Sequence, residues 1–194
     1  MKNEIKEYTS CFLGIPLPEQ YQIEFEKLLM DIGKIYPDLE TVYPETPHLT
    51  IYYLDRQSQL VLPEIVGTVA EYSSMLSGCS LKIGNLGFFR PGDPRVLFLK
   101  VKYPLALTNF NEVIATKLVN FTTEDDNLPF HPHMTVARME TEMAQLSFAR
   151  NKSLLEKIMS QIYWNFPITE LVLYGVDSIK QPELHERLIT IPVL

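Results

Sequence analysis

Two stretches of this chain can be laid over one another at a nearly constant offset, and that recurrence limits its folds more than any other feature. Apolar strand-like runs open at residues 8 and 95, amphipathic helical patterns at 18 and 105, and His-x-Thr pairs at 48 and 133, offsets of 87, 87 and 85. With four histidines and thirteen threonines in the chain, roughly 0.3 such pairs are expected by chance. A period this long, used twice, points to a pseudo-twofold duplication of a β-α-β-α-β unit, because a solenoid needs at least three repeats. The repeats span about 8–90 and 95–177, followed by a C-terminal strand over about 187–193, and we read the whole of 1–194 as one domain.

Periodicity sets the elements within each unit. Residues 8–16 form a buried strand, and Pro18 then stands where a first helical turn tolerates proline. Tyr21, Phe25, Leu28, Leu29, Ile32 and Ile35 recur at helical spacing, and the pattern stops near Pro37. HLTIYYL (48–54) is a strand, Leu62 to Leu76 a second helix closed by Gly78, and 81–89 a strand. RPGDPR (90–95) has the composition of a turn. The second unit runs through RVLFLKV (95–101), a helix over Leu105 to Leu118, the strand HMTVAR (133–138), a helix marked by Leu154, Leu155, Ile158 and Ile162, and FPITELVLYGV (166–176) as a single strand.

Bulk composition narrows the partners. A net charge of −7 argues against a long nucleic-acid track, which needs lysine and arginine in clustered excess. Cys11 and Cys79 have no metal-like spacing and read as buried thiols. No run is long and apolar enough for a signal-peptide core or a membrane span, so a soluble, cytoplasmic monomer with no membrane partner is expected.

On a strand, residues two apart share a face. His48 and Thr50 therefore project together, as do His133 and Thr135, while Leu49, Ile51, Met134 and Val136 are free to pack on helices. Across a pseudo-axis this brings two imidazoles and two hydroxyls to one cleft. Imidazoles that titrate near neutrality can act as base and acid in one turnover, and hydroxyls can donate to anionic oxygens. A phosphate diester suits such a site, with no metal and no cofactor required.

The segments PHLTI and HPHMTVAR resemble the paired motifs of the 2H phosphoesterase superfamily, in particular its bacterial 2′-5′ RNA ligase or RNA 2′,3′-cyclic phosphodiesterase branch. FLGIPLPEQ resembles that branch's opening strand and helix start, and LGFFRPGDPRVLFLKV its inter-lobe hairpin, so the likeness spans nearly the whole chain. It implies an α+β fold, bilobal and pseudo-twofold, with two antiparallel sheets flanked by helices around a central cleft. It also implies metal-independent hydrolysis of a cyclic phosphodiester, with His48 and His133 catalytic, the latter as base and the former as acid, and Thr50 and Thr135 binding phosphate. Arg138 matches an arginine that assists phosphate binding in this branch. Strand parity alone puts residue 138 on the wrong face, so that role requires a bulge or a strand end, and Tyr53 holds the equivalent place in the first motif.

The expected substrate is a small nucleotide or an RNA end carrying a 2′,3′-cyclic phosphate, opened to a 2′-phosphomonoester. A non-catalytic nucleotide-binding module and a 2′-5′ RNA ligase are the rival readings. Tyr52, taken to lie on the cleft face after Thr50, is as fit to stack a base as to form a wall. His131 shapes a turn with Pro132, and an HxH metal site with His133 lacks a second ligand cluster. His185 reads as a surface residue, Phe89 as core, Arg90 as a possible phosphate contact, and EDDN (124–127) as a solvated loop.

Overall fold

The computed structural model describes residues 5–90, 93–122, 129–177 and 184–194. Among them the chain forms strands β1 (Glu7–Pro16), β2 (Glu40–Thr41), β3 (His48–Ser58), β4 (Ser80–Phe88), β5 (Val96–Lys102), β6 (His133–Arg138), β7 (Tyr163–Pro167), β8 (Glu170–Asp177) and β9 (His185–Pro192). The helices are α1 (Gln22–Ile35), α2 (Leu62–Tyr72), α3 (Leu105–Lys117) and α4 (Glu142–Met159). The EDDN run lies outside the described residues, as do residues 91 and 92 of the expected turn; Asp93 N–H donates to the Arg90 carbonyl at 2.9 Å across that gap. Among the described residues no helix is long and apolar enough to cross a membrane.

The strands join in the order β7-β4-β5-β6-β3-β1-β8-β9, with β2 beside β6. Every pairing is antiparallel. This order reads the same from either end once β6 is matched with β3, β5 with β1, β4 with β8 and β7 with β9, which is the pseudo-twofold the repeat implies. The two expected sheets are thus halves of one sheet, joined where Leu49 of β3 pairs with Met134 of β6. FPITELVLYGV is two strands: the chain leaves β4 at Pro167, which has no N–H to extend the ladder, and re-enters beside β1 at Glu170.

One face of the sheet is covered by all four helices. Phe25 and Ile32 of α1, Ile65 and Val69 of α2, Phe110 and Ile114 of α3, and Phe148 and Leu155 of α4 share a core with Leu13, Ile15, Leu49, Leu99, Met134 and Leu173. Gly78 closes the second helical segment with φ +72°, a conformation that favours glycine. Helix α4 begins well before Leu154, capped by Thr141, whose Oγ1 accepts from Ala144 N–H at 3.1 Å, and departs from helical dihedrals at Asn151. Cys11 is buried, which pushes its thiol up to about 12, whereas Cys79 is only half-buried.

The helix-free face carries a smaller cluster of Phe12, Val172 and Tyr174. What reaches this face is decided by matched β-bulges. Between β3 and β1 the register runs Thr50↔Gly14, Tyr52↔Leu13, Tyr53↔Phe12, so Ile51 is an extra residue. Between β6 and β5 it runs Thr135↔Phe98, Ala137↔Leu97, Arg138↔Val96, so Val136 is the extra residue. In both strands two consecutive side chains therefore pack inward and the next returns to the open face. Each bulge frees a carbonyl, and each is given a partner: Asn111 Nδ2 of α3 donates to Ile51 O at 2.7 Å, and Val42 N–H donates to Val136 O at 3.0 Å. Replacing Asn111 by alanine leaves the Ile51 carbonyl without its donor, and the expected loss is about 1–3 kcal/mol of unfolding free energy in a urea titration.

Candidate active site

Extending the Leu49↔Met134 register by one residue each way sets His48 across from Thr135 and Thr50 across from His133, all four on the helix-free face. The two histidines are then diagonal neighbours, about 7–8 Å apart in a regular antiparallel ladder. All four side chains are half-buried.

Both rings are tethered in the same way. His48 Nδ1 lies 2.7 Å from the Thr46 carbonyl oxygen, and His133 Nδ1 lies 2.8 Å from the His131 carbonyl oxygen. A carbonyl oxygen accepts only, so Nδ1 carries the proton in each ring and Nε2 is left with a lone pair for the open face. His131 thus serves the site through its backbone, two residues before the imidazole it orients, as Thr46 does in the other half.

Each ring is also walled by aromatics. Around His48 stand Phe12 (ring centroids 4.5 Å apart), Tyr174 (4.9 Å) and His185 (5.3 Å). Around His133 stand Phe89 (4.8 Å), Phe98 (5.0 Å) and, farther off, His131 (6.5 Å). Gly87, opposite Phe98 in the β4–β5 register, makes this possible, because a Cβ there would come within 2.1 Å of the Phe98 ring.

Burial is the largest influence on both histidines. It pulls His48 down to about 4 against the upward pull of the Thr46 carbonyl, with the charges of His185 and His133 adding to the fall. His133 is lowered by burial, supported by the charges of His131 and Arg138 and opposed by the His131 carbonyl.

The bulge at Ile51 turns Tyr52 towards the core, where it packs with Leu13 and its fellows, and burial raises its phenol; the cleft position belongs to Tyr53, whose hydroxyl accepts from Ser10 Oγ at 2.9 Å. The matching bulge at Val136 brings Arg138 to the open face, where its charge acts on both His133 and His185. Tyr53 and Arg138 so occupy equivalent places, one phenol and one guanidinium. Phe89 is a wall of the His133 ring and not a core residue. His185 is no surface residue either: it packs against Phe12 and His48. Arg90 is exposed, with φ +54°. Among the described residues no three His, Cys, Asp or Glu side chains are grouped to hold a metal ion.

The profile of the 2′-5′ RNA ligase superfamily matches residues 26–178 of this chain, a span that includes both His-x-Thr strands. The chain belongs to that superfamily, the 2H phosphoesterases. Among curated members, the RNA 2′,3′-cyclic phosphodiesterase of Bacillus subtilis is 29% identical over 138 residues, covering 67% of this chain and 71% of that protein. The protein of the same name from Geobacillus stearothermophilus is 24% identical over 184 residues, 94% of this chain and 57% of its own length. Solved structures share the fold. The Thermus thermophilus protein TT0787 has a TM-score of 0.71 at 16% identity, covering 95% of this chain and 97% of that one. E. coli LigT complexed with 3′-AMP has a TM-score of 0.66 at 19% identity, covering 98% and 99%.

A histidine held below its ordinary value stays neutral in the folded chain at pH values where the unfolded chain takes up the proton. Its contribution to stability is complete above about pH 6.5 and is lost as pH falls towards 4. Between pH 7 and pH 5 the His48 site accounts for about 1–2 kcal/mol of lost unfolding free energy. Urea titrations at the two pH values check this: His48→Gln is expected to show a smaller decline than the unmodified chain.

Proposed function

We propose that this 2H phosphoesterase is a metal-independent phosphodiesterase that opens the 2′,3′-cyclic phosphate of an RNA end or small nucleotide to a 2′-phosphomonoester. The observation that carries the reading is the pair of identically tethered imidazoles, each with Nε2 free, set diagonally on one face with a threonine opposite each. The names of the Bacillus and Geobacillus relatives supply the substrate class.

In the step we propose, one imidazole takes a proton from water as the water oxygen bonds to phosphorus. The bond from phosphorus to the 3′ oxygen breaks, and the other imidazole protonates that leaving oxygen. Thr50 and Thr135 donate to the non-bridging oxygens. Arg138 adds a positive charge on the β6 side, where Tyr53 answers with only a phenol on the β3 side, so the clamp is lopsided and the anionic oxygens are drawn towards β6. The acid must arrive protonated, although burial keeps His48 and His133 neutral in the empty site. A phosphodiester anion lying between them restores the missing counter-charge and raises the proton affinity of both, which ties the protonated state to the presence of substrate. The net charge of −7 suits a single nucleotide or a strand end better than an extended duplex.

Turnover of 2′,3′-cyclic nucleotides and cyclic-phosphate RNA ends tests the reading. His48→Ala and His133→Ala are each expected to lower the rate by about 10²-fold or more, as loss of a proton-transfer group does, while EDTA leaves it unchanged. Full activity in either variant, or loss of activity with EDTA, would refute the two-imidazole mechanism.

A further inference from the structure

The family profile ends at residue 178, and strand β9 lies beyond it. This strand carries a bulge of its own. Ile189 pairs with Leu173 and Arg187 with Tyr174, so Leu188 is the extra residue. Leu188 and Ile189 both pack towards the helices, and the strand then turns its next alternate residues to the helix-free face: Arg187 opposite Tyr174 and His185 opposite Val176. Without that bulge His185 would point into the helical core.

There it completes a ring cluster. Its ring stands nearly perpendicular to Phe12 at a centroid distance of 4.9 Å and an interplanar angle of 79°, and to His48 at 5.3 Å and 72°, while Phe12 lies tilted on His48 at 4.5 Å and 33°. The Thr46 hydrogen bond fixes one atom of the His48 ring, Phe12 and Tyr174 limit its tilt, and the His185 ring packs against it as well. In the other half the perpendicular ring against His133 is Phe89, at 4.8 Å and 88°, while His131 stands 6.5 Å away and acts through its carbonyl.

We propose that His185 is a positioning residue for the first-motif imidazole, its ring holding His48 against Phe12 and Tyr174 so that Nε2 stays aimed at the phosphate. This rests on the phosphodiesterase reading for its kinetic consequence but not for its structural one. The groups that face His48 are Phe12 from β1, Tyr174 from β8, His185 from β9 and His133 from β6, with Arg138 acting on His185. Burial pushes His48 down, and the charge that His185 can carry pushes it the same way. Removing the ring takes away that charge and exposes the imidazole, and both changes raise the His48 titration midpoint.

The test pairs nitrogen-15 NMR titration of the histidine side chains with steady-state kinetics on a 2′,3′-cyclic nucleotide, for the unmodified chain, His185→Ala and His185→Phe. In His185→Ala the His48 midpoint is expected to rise and its Nδ1–H tautomer to lose its dominance, with the His133 signals unmoved. Its kcat should fall by about 10-fold or more, as small misplacements of a reacting group do, with KM within about 3-fold of the original. His185→Phe keeps an aromatic ring and should recover most of kcat and the tautomer preference. Should His185→Ala not fold, His185→Phe alone decides: a tautomer mixture or a loss of kcat of about 10-fold there overturns the proposal. So does an unchanged His48 titration in His185→Ala, or a rise in KM with kcat intact, which would make His185 a substrate contact. If the unmodified chain turns over no cyclic phosphate, the functional reading fails, and the NMR arm still judges His185.

Discussion

Among the described residues, Leu49 on β3 and Met134 on β6 are the one registered pair between the two motif strands, and the site depends on where that pair falls. Both side chains are fully buried under the helices, so a slip of one residue would drive two leucine-sized side chains to the open face and two imidazoles into the core. Burying an unpaired imidazole and exposing two apolar side chains are both unfavourable, which fixes the register. Once it is fixed, His48, Thr50, His133 and Thr135 have no other face to occupy.

The same register explains how a site built from near-identical halves becomes chemically unequal. The bulges at Ile51 and Val136 are matched, and so are the carbonyl tethers from Thr46 and His131. The residues delivered by that common framework differ. Position 53 is tyrosine where 138 is arginine, and the aromatic walls are Phe12, Tyr174 and His185 on one side and Phe89 and Phe98 on the other. A base and an acid working in one turnover need environments that differ. Here the halves differ in the walls and in the arginine at 138 against the tyrosine at 53, and the backbone that holds the rings is shared.

Much of this is legible in the chain before any coordinates are seen. The 85-residue offset between the histidines and the apolar alternates Leu49, Ile51, Met134 and Val136 identify the two motif strands and the face they bury. What strict alternation loses is everything beyond a bulge. Ile51-Tyr52, Val136-Ala137 and Leu188-Ile189 are adjacent inward-facing pairs where a regular strand places one residue in and one out, and such doublets are the local sign that parity has flipped. Reading through the first of them puts Tyr52 on the cleft, and His185 is missed because β9 begins at residue 185 and not at about 187. The crossing of β4 and β8 to the opposite halves is a tertiary choice with no local mark beyond Pro167, which is why residues 166–176 read as one strand.

The central claim is that both imidazoles address a single phosphorus atom. A crystal structure of the chain with vanadate and a nucleoside in the cleft, a mimic of the five-coordinate phosphorus, measures that directly. The account predicts Nε2 of His48 and Nε2 of His133 each within hydrogen-bonding distance, about 2.6–3.2 Å, of different oxygens on the same vanadium, with the Thr50 and Thr135 hydroxyls on the remaining ones. Vanadate held by one histidine alone, with the other ring turned away from it, would contradict the account.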